Sequence, residues 1–156
     1  MKTNQNGKAM NLNEIKLRNA VQEDFDFLFD LHKEALKDYI EVTWGWDEEW
    51  QEDYFQKKFD ISERRIIQYQ GKDIGCVTVR DEGSYLFLGY IAILPKFQNM
   101  GIGTVLVQQV IENAAQRDIS VRLHVLRSNP ARRLYERLGF TIIDETETKY
   151  IMEKSS

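Results

Sequence analysis

Gln98-Asn99-Met100-Gly101-Ile102-Gly103-Thr104 joins an apolar run that stops at Pro95 to a segment with helical periodicity. Two glycines one residue apart let a backbone approach a ligand, and the first amides of a helix have no intrahelical acceptor. With the partial positive charge of a helix start, such a loop suits a phosphate. It is not a Walker A loop, which ends in Gly-Lys-Ser/Thr, because Thr104-Val105 follow Gly103. Nor is it a dinucleotide loop, which has a third glycine where Leu106 stands. A plain strand-to-helix turn is the competing reading. Two other features bear on chemistry. His124, on an alternating apolar stretch, can titrate near neutrality. Glu41 to Trp50 packs three tryptophans and four acids into ten residues, a composition that attracts a cation through charge and ring faces. The plainer account of that stretch puts Trp50 in the core, uses the acids to cap a helix and packs Trp44 and Trp46 into a loop. Cys76, among Ile74, Val77 and Val79, reads as a buried, inert thiol with nothing adjacent to lower its pKa. His32 reads as structural.

The elements that position these residues follow from periodicity. Ile15 to Arg18 alternates as a strand. Gln22 to Ile40 carries Phe25, Leu28, Phe29, Leu31, Ala35, Leu36, Tyr39 and Ile40, mostly at helical spacing, and Trp44-Gly45-Trp46 interrupts it. Asp47 to Phe59 is a second helix with Trp50, Tyr54, Phe55 and Phe59 on one side. Arg64 to Gln70 and Ile74 to Arg80 read as strands joined by a turn at Gly71-Lys72-Asp73. Tyr85 to Leu94 is a long β-rich run. A helix opens at Gly101-Ile102-Gly103, and a strand runs through Val121, Leu123 and Val125. Asn129-Pro130 starts a further helix, with Asn as its cap, and Leu138-Gly139 ends it. Strands around Phe140 to Glu145 and Thr148 to Glu153 close the chain. The order β-α-α-β-β-β-α-β-α-β-β predicts an α/β (α+β) domain, a mixed sheet of six to seven strands with four helices.

The chain has 156 residues, enough for one domain; residues 1–13 read as a flexible tail and 14–156 as a single domain. A net charge of -4 argues against a nucleic-acid partner. One cysteine excludes an internal disulfide and a cysteine zinc site. No apolar run approaches the roughly 20 residues of a membrane span. The polar start lacks the apolar core of a secretory signal, so a cytoplasmic setting is expected.

Two stretches carry a family resemblance. Ile91-Ala92-Ile93-Leu94-Pro95-Lys96-Phe97-Gln98-Asn99-Met100-Gly101-Ile102-Gly103 resembles motif A of the GCN5-related N-acetyltransferase (GNAT) superfamily: a strand, a proline, then Gln/Arg-x-x-Gly-x-Gly/Ala. Gln98, Gly101 and Gly103 fill its three marked positions. Asn129 to Phe140 resembles motif B in its Asn, Leu-Tyr-Glu and Leu-Gly-Phe. With similar first and last strands, the resemblance spans Ile15 to Lys154.

The resemblance implies the acyl-CoA N-acyltransferase fold and acetyl transfer from acetyl-CoA to an amine, by direct attack in a ternary complex and without a metal. By position, Gln98 and the backbone amides of Asn99, Met100, Gly101, Ile102, Gly103 and Thr104 would serve the CoA pyrophosphate. The backbones of Ile91, Ala92 and Ile93 would pair with the pantetheine arm, with the Ile91 and Ile93 side chains in the core. One amide there could polarise the thioester carbonyl. Tyr135 takes the place of the acid that protonates the departing thiolate; without the resemblance it reads as a packing residue beside Ala131, Leu134 and Leu138. Asn129 lies one residue closer to Tyr135 than its counterpart in many relatives, so it either caps the helix and binds pantetheine or only caps. His124 stands where some relatives that acetylate protein N-termini have a glutamate base; its competing reading is a strand histidine bonded in the sheet or simply exposed, and Glu41, Glu82 and a water chain are the other candidate bases. Glu41, Trp44 and Trp46 would line the acceptor site.

The expected partner is a small-molecule or peptide amine, with no nucleic acid and no membrane. A homodimer through the last strands is common in such folds. A catalytically inactive CoA- or acyl-CoA-binding module is the alternative, but the retained Tyr135 and the complete Gln98 motif count against it. Acetylation of charged tRNA would need a basic face, which the acidic total opposes. The late arginines Arg117, Arg122, Arg127, Arg132, Arg133 and Arg137 are assigned to the adenosine 3′-phosphate and to solvated faces.

Overall fold

The computed structural model describes residues 11–58 and 60–156. Most of the expected tail, residues 1–10, lies outside the described residues, as does Phe59. Leu12–Glu14 is a single 3-10 turn, capped by the Asn11 side chain, which accepts from the Asn13 amide at 3.0 Å.

Seven strands and four helices follow. They are β1 (Ile15–Asn19), α1 (Phe25–Trp44), α2 (Glu48–Lys58), β2 (Arg64–Tyr69), β3 (Lys72–Asp81), β4 (Tyr85–Ile93), α3 (Ile102–Gln116), β5 (Ser120–Leu126), α4 (Arg132–Arg137), β6 (Thr141–Glu145) and β7 (Lys149–Lys154). The element order is the one the periodicity predicts. The strands hydrogen-bond in the order β1-β2-β3-β4-β5-β7-β6. β4 and β5 are parallel; the pairs β1–β2, β2–β3, β5–β7 and β6–β7 are antiparallel. The sheet is therefore mixed.

The chain divides into two compact units, one running to Thr78 and including Ile91–Ile102, the other comprising Val79–Tyr90 and Gly103–Ser156. In the first, α1 buries Leu28, Phe29, Leu31 and Ile40, a spacing that matches the helical period. The α1 ring of Phe25 meets Phe55 of α2 at 5.6 Å, edge to face. α1 runs four residues past Ile40, to a Gly45 cap at φ 79°, because nothing before Gly45 breaks the helix. α2 departs from the expected face. It buries Gln51 and Phe55, while Trp50 and Tyr54 are 57% and 49% exposed and stack on each other at 5.0 Å. With Phe55 turned inward, residues one position earlier in the turn face solvent.

The β2–β3 turn is Gln70-Gly71, not Gly71-Lys72-Asp73. Both residues have positive φ, 51° and 76°, and Tyr69 faces Lys72 directly, as in a two-residue hairpin of the type that matches strand twist. Arg18 ties this hairpin to β1 and to the start of α1. Its guanidinium grips both Asp24 oxygens at 2.9 and 2.8 Å and donates to Asp73 at 2.9 Å. Gln68 adds a bond to Asp73 at 2.8 Å, and Asp24 also accepts from the Val21 amide. Arg18 holds the Asp24 carboxyl below its ordinary value; for Asp73, burial opposes but the hydrogen bonds from Arg18 and Gln68 prevail.

In the second unit, β5 turns Val121, Leu123 and Val125 inward, and α3 buries Leu106, Val107, Val110 and Ala114.

Candidate functional site

The loop after β4 is built from buried anchors and open backbone. Phe97, Met100 and Ile102 are buried, while Gln98 and Asn99 are exposed. Pro95–Phe97 form a 3-10 turn started by the proline. Asn99 then takes φ 61° and Gly101 φ 89°. Left-handed residues alternating with others turn successive amides toward a common side, a geometry that holds anions. Asn is among the few side chains that tolerate this conformation, and glycine adopts it freely. α3 opens at Ile102, so the loop runs straight into a helix start with its unpaired amides. Gln98 donates from Nε2 to the Ile93 carbonyl at 2.8 Å. Its side chain is thus committed to the end of β4.

β4 pairs with β5 from Tyr85 to Leu88 and continues five residues further, to Ile93. In this last stretch Ala92 is buried, 2% exposed, and Ile91 and Ile93 are half-buried. This reverses the expected placement of the two isoleucines in the core: the strand period sends Leu86, Leu88 and Ala92 to the packed side, so odd-numbered residues face the other way.

The α1–α2 connection divides its aromatic residues. Trp44 is 59% exposed and Glu41 is exposed. Trp46 is half-buried: its indole donates to Glu48 at 2.8 Å, and its ring lies 6.1 Å from His32 and 5.8 Å from the Lys37 ammonium. Glu48 also receives Lys33 at 2.6 Å. Trp46 therefore fastens the connection, a role visible only once Lys33 and Glu48, fifteen residues apart, are side by side. His32 packs against Phe55 at 5.3 Å, and burial lowers its pKa. Cys76 is fully buried in β3, and burial raises its thiol pKa. One expectation fails here: Arg64 does lie beside the thiol and pulls its pKa down, but desolvation is the larger effect.

In the second unit, Tyr135 sits on α4 with its ring edge-on to Phe140 at 5.8 Å. Burial raises its phenol above the ordinary value. Asn129 does not cap α4 itself. Its Oδ1 accepts from the Ala131 amide at 2.9 Å, closing the turn before the helix, and α4 begins after Ala131 at Arg132. Proline at 130 fits that turn. His124 is exposed on β5, edge-on to Phe87 at 5.1 Å. Burial of its ring, then the Lys149 charge, lowers its pKa. Glu82 pairs with Arg80. Four of the late arginines have carboxylate partners: Arg117 with Asp81, Arg122 with Glu153, Arg127 with Glu145 and Arg132 with Glu136. Arg127 and Arg132 also both lie on the Tyr150 ring, at 4.7 and 4.9 Å, an arrangement that periodicity does not reveal.

The profile of the acetyltransferase (GNAT) family matches residues 25–140. The chain belongs to this family. Its seven-stranded mixed sheet and four helices are the fold of that family. Over 76 residues it is 38% identical to the ribosomal protein bS18-alanine N-acetyltransferase of Haemophilus influenzae. That stretch covers 48% of this chain and 50% of the relative, so the chain spans about half the length of the curated relative it matches. Among solved structures, the PaiA N-acetyltransferase of Thermoplasma acidophilum in complex with coenzyme A superposes with a TM-score of 0.75 at 21% identity, covering 91% of this chain and 99% of that one. The ribosomal-protein-S18-alanine N-acetyltransferase of Escherichia coli superposes with a TM-score of 0.65 at 20% identity, covering 90% and 93%. Both likenesses are of fold. Among the described residues, no helix is long and apolar enough to cross a membrane.

Proposed function

We propose that this protein transfers acetyl from acetyl-CoA to a peptide amine in the cytoplasm, by direct attack within a ternary complex. The observation that carries the reading is the loop from Gln98 to Thr104: an alternation of buried anchors and left-handed backbone that opens into α3. Its amides suit the CoA diphosphate. The five residues of β4 beyond its last pair with β5 suit the pantetheine arm as an added strand.

In the proposed reaction, the neutral amine attacks the thioester carbonyl; a C–N bond forms and the C–S bond breaks. His124 takes the proton from the incoming ammonium, and its lowered pKa favours the unprotonated form that a base requires. Tyr135 gives its proton to the departing thiolate, and the second proton that nitrogen sheds as the amide forms restores the phenol. Its raised pKa keeps the phenol protonated until negative charge builds on sulfur, whose own ordinary pKa is about 8.5. Glu41 and the exposed face of Trp44 attract the cationic acceptor, while Trp46 holds the connection they stand on. The peptide class is favoured by the relative whose name specifies an alanine of a ribosomal protein.

The test is transfer from acetyl-CoA to a panel of peptides with different N-terminal residues and to small amines, read by product mass. Acetylation of at least one peptide α-amine is expected. Binding of acetyl-CoA without transfer to any amine would instead favour the inactive binding module.

A further inference from the structure

We propose that Gln98 is a positioning residue, whose side-chain amide clamps the loop to the end of β4 and so holds the diphosphate-facing backbone in shape. The proposal rests on the CoA reading of this loop. Gln98 is exposed, yet its Nε2 reaches the Ile93 carbonyl at 2.8 Å, five residues back along the chain. A carbonyl only accepts, so the donor side of the amide must face it. The bond closes the bend made by the Pro95–Phe97 turn. Directly after it, Asn99 sits at φ 61°, a conformation that costs a non-glycine residue free energy and persists only when its surroundings impose it. Phe97 and Met100 hold the loop from the core side, at 8% and 9% exposure. On the solvent side, the Gln98 bond supplies the hold. The residue therefore acts on the ligand through the backbone amides that follow it, and its donor, not its charge or bulk, is what matters.

Three variants separate these properties. Gln98→Met keeps the length and removes the donor, Gln98→Glu presents only acceptors to the Ile93 carbonyl, and Gln98→Arg restores N–H donors. Two measurements are made on each full-length protein. Hydrogen exchange of the peptide containing residues 98–104, without ligand, should be faster in Gln98→Met and Gln98→Glu and near wild type in Gln98→Arg. Calorimetry with CoA should show affinity weakened by roughly three- to tenfold in Gln98→Met, as expected for loss of one hydrogen bond that supports the site. The KM for acetyl-CoA should rise with kcat unchanged, and melting temperatures should stay close to wild type. Unchanged ligand-free exchange in Gln98→Met would overturn the clamp even if CoA affinity fell, because it would make Gln98 a direct ligand contact. A large drop in melting temperature would overturn it in favour of a role in overall stability. Failure of the wild-type protein to bind CoA would remove the underlying reading of the loop.

Discussion

Tyr135 and His124 divide the proton traffic of the proposed reaction; desolvation favours the neutral form of each, which holds the proton on the phenol but makes it a weaker acid toward the thiolate. Burial raises the phenol pKa, and partial desolvation of the exposed imidazole, then the Lys149 charge, lowers that of His124. Tyr135→Phe should lower kcat by roughly a hundredfold, the lower end for general acid catalysis, because a thiolate leaves readily. Its CoA affinity, measured by calorimetry, should not change, since Phe keeps the ring against Phe140. For His124, the ionised form is inactive as a base. The kcat/KM profile should rise with pH to a plateau, with a midpoint below the ordinary histidine value of about 6.5, and His124→Gln should lose that limb. A profile unchanged in the variant would pass the base role to Glu41, Glu82 or water. Trp46 fits the plainer of its two sequence readings, that of packing the connection: its indole N–H donates to Glu48, a pairing that depends on where α2 begins.

Among the elements, the β1–α1–hairpin junction shows how strongly one arginine can organise the first unit. Arg18, Asp24 and Asp73 are partly buried and mutually bonded. Arg18→Ala should cost about 1.5–3 kcal/mol in urea unfolding at pH 7, the range for hydrogen bonds to charged groups. The sign of the pH effect follows from the lowered carboxyl pKa values. Both acids contribute stability above the ordinary carboxylate value of about 3.9 and lose it as pH falls through their lower folded values. The gap between wild type and variant should therefore shrink below about pH 4. Apolar spacing, together with the Asn129-Pro130 and Leu138-Gly139 signals, gave the order of strands and helices, although β6 is exposed at all five residues and carries no burial period. Periodicity misplaced the hairpin turn, because Gln70 rarely takes positive φ and only the Tyr69–Lys72 pairing forces it there. It also misjudged α2, whose Trp50 and Tyr54 satisfy each other by stacking on the outside instead of entering the core.

At the scale of the whole molecule, the net charge is -4, and four of the late arginines are paired with carboxylates. The order of elements and the two motifs were readable because glycine, proline and apolar spacing impose local geometry. Side-chain commitments such as Gln98 to Ile93, or Asn129 to the Ala131 amide, were not, because they depend on how the backbone folds around them. The central claim is that the loop from Gln98 to Thr104 binds the diphosphate of acetyl-CoA. It is tested most directly by titration calorimetry with acetyl-CoA and CoA, with ATP as control. Saturable one-to-one binding of both CoA species and none of ATP is expected. Folded protein that binds neither CoA species would contradict the claim.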